Sequence, residues 1–406
     1  MPRLAVLGGS SPFTAAFVEA LRDEGARDEG AGVPPLDLVL HGRSVTPLAR
    51  MRAYAEHRLG PLGWTVRAET ELAPALEGAA VVLHQIRYGG MQGREAGEAF
   101  CARFGVPADE TLGPAALRTA LELGPALART ADAIRACAPD ATVLNLTNPL
   151  SCATALLAEA APRSFGLCEL PVFTVAEAAA LFGLAIGAVD WEYAGLNHRG
   201  FVTALRHGGR DLLAELPARL GDEGTIGGVR AGEIAALGAL PLKYHRLLTG
   251  EIPAPGRAAY LNGVRDGLLR ELRDPARVPA GLGDRAMPWY AQAAVPVLAA
   301  LLGGRTAHLT INLDPGDGMV EEVKAVVDEH GVHPAPAGEA SPPAAAWLAR
   351  FREHERAVMR AVRDPGVESV RAALAADPVV PAAVVERMAD VLWADVQAGR
   401  MAEVAA

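Results

Sequence analysis

Six short apolar runs, each followed by an amphipathic stretch, fill the first 170 or so residues and leave few architectures open to the chain. The runs span residues 4–7, 36–40, 64–68, 80–85, 142–146 and 164–167, and the stretches between them include 13–21, 47–59, 72–76, 114–137 and 152–159. Strand alternating with helix in this way predicts a doubly wound parallel sheet, a Rossmann-type α/β fold. A helix over 172–182 and strands over 191–196 and 201–206 follow, and then the alternation stops. The rest reads as helix-rich and mixed α+β. It has a glycine-containing segment at 221–232, a helical stretch at 234–248 around Tyr244, a helix at 286–302 and a strand at 308–313. Three helices, 344–362, 367–375 and 382–398, close the chain, and the Pro/Ala-rich stretch 332–343 reads as a linker. At 406 residues the chain is long enough for two domains.

Ligands of an open parallel sheet sit beyond the carboxyl ends of its strands. Three sequences occupy such ends: Asn145-Leu-Thr-Asn-Pro149, Gly166-Leu-Cys-Glu-Leu-Pro171 and Gly195-Leu-Asn-His-Arg-Gly200. They are expected to bring Asn148, Cys168, Glu169, Asn197 and His198 to one cavity. A soft thiolate and an imidazole among amide and carboxylate oxygens suit a divalent transition metal, so Cys168 and His198 are the candidate ligands.

The first strand runs into Gly8-Gly9-Ser10-Ser11 and then a helix. Glycines let the main chain approach a pyrophosphate, and the helix N-terminus offers it free N–H groups, although the spacing is not G-x-G-x-x-G. The second strand ends on His41-Gly-Arg43, without the carboxylate that grips an adenosine ribose. Arg43 therefore either meets a 2'-phosphate, which would favour NADP, or is a solvated loop charge. Residues 87–95 read as a long polar loop running on to 109–113, a lid in which Arg87 and Arg94 could bind an anion.

A net charge of -10 leaves no basic face for nucleic acid, and no apolar run has the length of a membrane span. Four cysteines without paired spacing, and no signal-peptide pattern, point to a reducing cytoplasm.

In combination these residues resemble the NAD- and metal-dependent glycoside hydrolases of family 4, chiefly the 6-phospho-beta-glucosidases. The resemblance spans nearly the whole chain. It is carried by Gly8-Gly-Ser-Ser11, Arg87 with Gly89-Gly90 and Arg94, Glu110-Thr111 with Ala116-Leu-Arg-Thr119, Asn148-Pro149, Gly166-Leu-Cys168, Gly195-Leu-Asn-His198, Tyr244, and Arg285 with Trp289-Tyr290. It implies a dinucleotide-binding domain like that of malate and lactate dehydrogenases over residues 1–166. It also implies a metal- and substrate-binding domain over 167–406 that mediates assembly into a homodimer or homotetramer. The chemistry implied departs from the usual pair of carboxylates. NAD takes a hydride from C3 of the sugar, Tyr244 removes the acidified C2 proton, the aglycone leaves C1 by elimination, water adds and the hydride returns. Cys168 and His198 would hold manganese or a similar ion, and Arg87, Arg94, Asn148, Asn197 and Arg285 the substrate and its phosphate. Gly8, Gly9, Ser10, Ser11 and Arg43 would hold the nucleotide. Glu169 stands where beta-type members usually have Asn and some alpha-type members have an acidic general acid, which leaves the anomer open. Two other readings share the fold: a malate/lactate-type hydroxyacid dehydrogenase, and a non-catalytic dinucleotide-binding regulator.

Overall fold

The structure, a computed structural model, describes residues 1–25, 32–252 and 256–405. Its first half alternates as the apolar runs require: β1 (Arg3–Leu7), α1 (Thr14–Gly25), β2 (Asp37–His41), α2 (Val45–Leu59), β3 (Thr65–Glu69), α3 (Leu72–Leu76), β4 (Val81–His84), α4 (Gly90–Phe104), α5 (Gly113–Cys137), β5 (Thr142–Asn145), α6 (Leu150–Ala160), β6 (Ser164–Leu167) and α7 (Leu170–Ala180). The second half opens with a hairpin, β7 (Asp190–Leu196) and β8 (Arg199–His207), then β9 (Arg210–Asp211), α8 (Leu212–Leu220), β10 (Thr225–Ile226), β11 (Val229–Arg230), α9 (Ala231–Leu237) and β12 (Leu240–Pro241). It continues through α10 (Arg257–Glu271), α11 (Val295–Gly303), β13 (Ala307–Leu313), β14 (Glu321–Asp328), β15 (Gly331–Pro334), α12 (Pro342–Arg363), α13 (Val367–Ala376) and α14 (Val385–Ala405).

Strands of both halves join in one 13-stranded sheet whose path runs β12-β8-β7-β14-β13-β6-β5-β4-β1-β2-β3. From β3 to β6 every pairing is parallel. Beyond β6 every pairing is antiparallel. Strand order reverses at β1, which lies between β4 and β2, and a crevice opens there at the carboxyl ends of the strands. The main core packs Leu4, Val6, Phe17, Leu38, Leu40 and Tyr54 of the first half against Val297, Leu298 and Ile311 of the second. A separate cluster seats α12, α13 and α14 on α4 and α5 through Phe100, Leu117, Leu121, Val358, Leu374 and Leu392.

Three local expectations are corrected. Most of the stretch expected to be a loop at 87–95 is the first turn and a half of α4, which starts at Gly90, at φ 60°, after its N-cap Gly89 at φ 69°. Gly97 sits where α4 meets α5, and a Cβ there would lie 3.2 Å from Ala115 Cβ, so a glycine that reads as loop-like in sequence serves helix packing. The stretch 234–248 is not one helix. Gly238, at φ 58°, stops α9; β12 then pairs with β8, and a 3-10 turn spans Lys243–Thr249. The apparent linker at 332–343 begins as β15, paired to β14 from Gly331 to Pro334.

Candidate active site

A cavity of about 1270 Å³ runs across the crevice. At one end lies the turn after β1. Gly8 takes φ 92°, and a Cβ there would lie 2.8 Å from the carbonyl oxygen of Gln85. Gly9 is buried under the turn, where a Cβ would lie 3.0 Å from Leu40 Cβ and from the Val6 carbonyl oxygen. Gly8, Ser10 and Ser11 line the cavity and Gly9 does not, so its part is close packing of turn against sheet. Next to them β2 ends on His41, 5% exposed, whose Nδ1 has no hydrogen-bond partner. Gly42, Arg43 and Ser44 follow along the same wall. Arg43 is exposed, and Ser44 is the N-cap of α2 without making a side-chain cap bond.

The opposite end carries the residues of the second and third strand ends. Cys168, Glu169, Asn197, His198, Lys243 and Tyr244 line it, joined by Asn148, Arg87, Arg94 and Arg285. Residues as distant in sequence as Arg87 and Arg285 thus share one wall. His198 has φ 62°, the one positive value outside glycine among the described residues. Such a conformation costs roughly 1–3 kcal/mol at a side-chain-bearing residue and tends to be kept where function needs it. Its ring stacks on Tyr244, with centroids 4.2 Å apart and planes 17° from parallel. Burial, and then the charge of Lys243, pushes the imidazole down to about 3, so it is neutral and able to ligate.

Glu110 organises the arginines. Its Oε2 accepts from Arg87 at 2.7 Å and from Arg94 at 2.5 Å, and Arg94 Nε also reaches Glu98 at 3.0 Å. Burial would raise the Glu110 carboxyl, but the charges of Arg87 and Arg94 outweigh it and hold it at about 2. Both arginines are therefore partly neutralised. Arg285 has no carboxylate partner among the described residues; its guanidinium lies 4.6 Å above Phe13 and 5.3 Å above Trp289. Its charge is therefore not offset by a carboxylate contact and is open to an anionic ligand. Asp109 differs from its neighbour: burial raises its carboxyl to about 6, against hydrogen bonds from the Thr111 and Leu112 amides.

Burial raises the Glu169 carboxyl as well, which favours a proton it could donate. Tyr244 is held well above the usual phenol range by burial and then by Asp109, Cys168, Glu110 and Glu169. The ammonium of Lys243 lies 5.0 Å from its ring. Lys243 is the functional candidate that sequence reasoning missed, although it is one of only two lysines in an arginine-rich chain. Gln85 is a second: its amide donates to Thr14 and its carbonyl accepts from the Tyr290 hydroxyl at 2.7 Å, under the glycine turn.

The donor set fits a divalent cation that keeps open positions. Cys168 supplies sulfur, and the buried His198 Nδ1 and Asn197 Oδ1 have no hydrogen-bond partner. No group of three or more His, Cys, Asp or Glu suited to a metal is present among the described residues, so substrate or water oxygens would complete the shell. None of the described helices is long and apolar enough to cross a membrane.

Comparison with known proteins follows this geometry. Residues 43–184 match the family 4 glycosyl hydrolase model and residues 193–380 that family's C-terminal domain. A Bacillus subtilis protein named "probable 6-phospho-beta-glucosidase" is 25% identical over 93% of this chain and 92% of its own length. The solved 6-phospho-beta-glucosidase of Thermotoga maritima, with manganese, NAD+ and glucose-6-phosphate, superposes with a TM-score of 0.82 at 20% identity, covering 98% of this chain and 99% of that one. A lactate dehydrogenase of Cryptosporidium parvum reaches only 0.57 at 14% identity, over 90% of this chain and 99% of its own. The expected kinship is thereby borne out: with both of its halves matched, the chain belongs to the family 4 glycosyl hydrolases.

Proposed function

We propose that the protein hydrolyses a 6-phosphorylated glucoside, most simply a 6-phospho-beta-glucoside, with a nicotinamide dinucleotide and a divalent cation. The observation that carries this reading is the single cavity that has the glycine turn at one end and Cys168, His198 and Tyr244 at the other. The names of the relatives and the ligands bound in their structures agree with it. We assign the nucleotide to Gly8, Ser10, Ser11 and Arg43 with Gly9 behind them, the metal to Cys168 and His198, and the sugar and its phosphate to Asn148, Asn197, Arg285, Arg87 and Arg94. The division of labour at 166/167 is supported by the change from parallel to antiparallel pairing after β6.

When bound, nicotinamide supplies reversible hydride acceptance at C3 and the cation supplies polarisation of the C3 oxygen. Tyr244 takes the C2 proton that this acidifies. Burial, and then the neighbouring acidic groups, hold its phenol above the usual range, so local positive charge is required before it can act as a base, and Lys243 stands beside it. Glu169, its carboxyl raised by burial, gives its proton to the departing aglycone oxygen as the C1–O bond breaks. Addition of water across the resulting C1–C2 double bond, and return of the hydride to C3, restore the sugar and the dinucleotide. Exposed Phe173 on α7 and Tyr260 on α10 offer apolar area to the proposed homodimer or homotetramer, which light scattering would test.

A panel of alpha and beta nitrophenyl glycosides, with and without 6-phosphate, assayed with manganese, reductant and NAD, tests the reading. Nitrophenol release without net NADH is expected. Stoichiometric NADH accumulation would make the protein a dehydrogenase instead.

A further inference from the structure

One row of residues crosses the sheet behind the proposed metal ligands: Gly166 of β6 pairs with Asn312 of β13, Asn312 with Glu322 of β14, Glu322 with Gly195 of β7, and Gly195 with Gly200 of β8. The three glycines clear space. A Cβ at Gly166 would lie 3.0 Å from Asn312 Cβ, one at Gly200 would fall on the Tyr193 hydroxyl, and one at Gly195 on the main chain of Gly200. Tyr193 and Asn312 occupy space that Gly200 and Gly166 leave, and both donate to a carboxylate. Glu322 is fully buried, with Tyr193 Oη 2.5 Å from its Oε2 and the amide nitrogens of Asn312 and Asn197 at 3.0 and 3.2 Å from its Oε1. No basic side chain pairs with it among the described residues. Asn197 and Cys168 line the same end of the cavity, and the Thr310 hydroxyl donates to the Cys168 carbonyl oxygen at 3.1 Å.

Burying a carboxylate with hydrogen-bond donors but no cation is costly, and an amide could satisfy part of the same network without the charge. The expense makes sense when a cation arrives nearby. We propose that Glu322 is a positioning residue for the metal site, orienting Asn197 against Cys168 and supplying the buried negative charge that a divalent cation at Cys168 and His198 offsets. The inference rests on the metal reading given above. Neighbours of this kind fix the orientation of ligands and raise affinity without touching the ion.

Cobalt(II) titration of the intact protein provides the test, read by the sulfur-to-cobalt absorption band and by calorimetry, with dinucleotide affinity and the melting temperature of metal-free protein alongside. In Glu322→Gln, cobalt affinity should fall about tenfold to a hundredfold, the loss typical of such partners. Dinucleotide affinity should stay unchanged, and the metal-free melting temperature should not fall. Glu322→Asp, which keeps the charge, should bind cobalt more tightly than the Gln variant, and it stands alone if that variant does not fold: loss of its cobalt band would then overturn the proposal. Unchanged cobalt affinity in Glu322→Gln, or a lower melting temperature with affinity intact, would reduce Glu322 to a structural hub. If the native protein itself gave no band that Cys168→Ser abolishes, the metal reading would fail and this inference with it.

Discussion

At the nucleotide end of the cavity, the turn after β1 presents main-chain groups, and its key residues are neighbours in sequence. The metal end is assembled from side chains at separate strand ends, held by Glu110, Lys243 and Glu322, the last of them 125 residues along the chain from Asn197. A main-chain site tolerates change in its side chains but not in its glycines. The side-chain site behaves in the opposite way: its properties depend on charges that must be balanced against one another.

The largest separation of the two ends should come from Tyr244→Phe. Loss of a positioned base should cut turnover roughly a hundredfold or more, while dinucleotide binding measured by fluorescence stays the same. Native enzyme should exchange a C2 deuterium of substrate with solvent and the variant should not. Retention of the label by native enzyme would remove the elimination and the role of Tyr244 together.

Asp109→Asn probes the charge balance of the catalytic end through stability. A carboxyl raised to about 6 in the fold disfavours the folded state above that pH, because the unfolded chain releases the proton more readily. The advantage of the Asn variant over the native protein should therefore shrink as pH falls from about 6 toward 4. The Asn variant, which keeps an acceptor for the Thr111 and Leu112 amides, should be the more stable at pH 8 by up to about 3 kcal/mol, at about 1.4 kcal/mol per unit. The two should converge near pH 4 in urea unfolding. An Asn variant that is less stable at pH 8 would mean that the carboxylate holds the segment together.

Gly8→Ala is the matching probe of the nucleotide end. A Cβ at φ 92° against the Gln85 carbonyl should destabilise the fold by roughly 2 kcal/mol, within the range for such strained backbone. It should weaken dinucleotide binding and leave cobalt binding intact. Equal damage to both ligands would show that the ends are coupled.

Smallest is Arg43→Ala, which should weaken NADP by about tenfold, as expected for one exposed charge-assisted contact, and leave NAD unchanged. Native protein should then bind NADP at least as tightly as NAD in calorimetry. Loss of neither cofactor, or equal loss of both, would make Arg43 a solvated charge.

Sequence and structure agree best where order along the chain is enough. The strands of the parallel half were legible because each is a short apolar run bounded by turns, and strand ends in such a sheet have a fixed meaning. Cys168 and Glu169 could be picked out for that reason, whereas Asn197 and His198 end β7, whose pairings proved antiparallel, so the rule that singled them out does not apply to their strand. α4 was not legible, since Gly90, Gly93 and Gly97 disguise a helix, and the close approach that calls for Gly97 comes from Ala115 of another element. β14 and β15 were also missed. Their residues take strand form because β13 and β7 offer them edges, a tertiary circumstance that leaves no clear period in a sequence carrying Glu321, Glu322 and Lys324 in succession.

What the sequence by itself determined, then, was the doubly wound order, the glycine turn and the set of strand-end residues, because periodicity and backbone freedom are local properties. Only the tertiary structure decided which charges face one another: Glu110 between two arginines, Lys243 beside Tyr244, and Glu322 behind Asn197 and Cys168. Electrostatic interactions act through space and depend on burial, so their strength is set only once the sheet has closed around them.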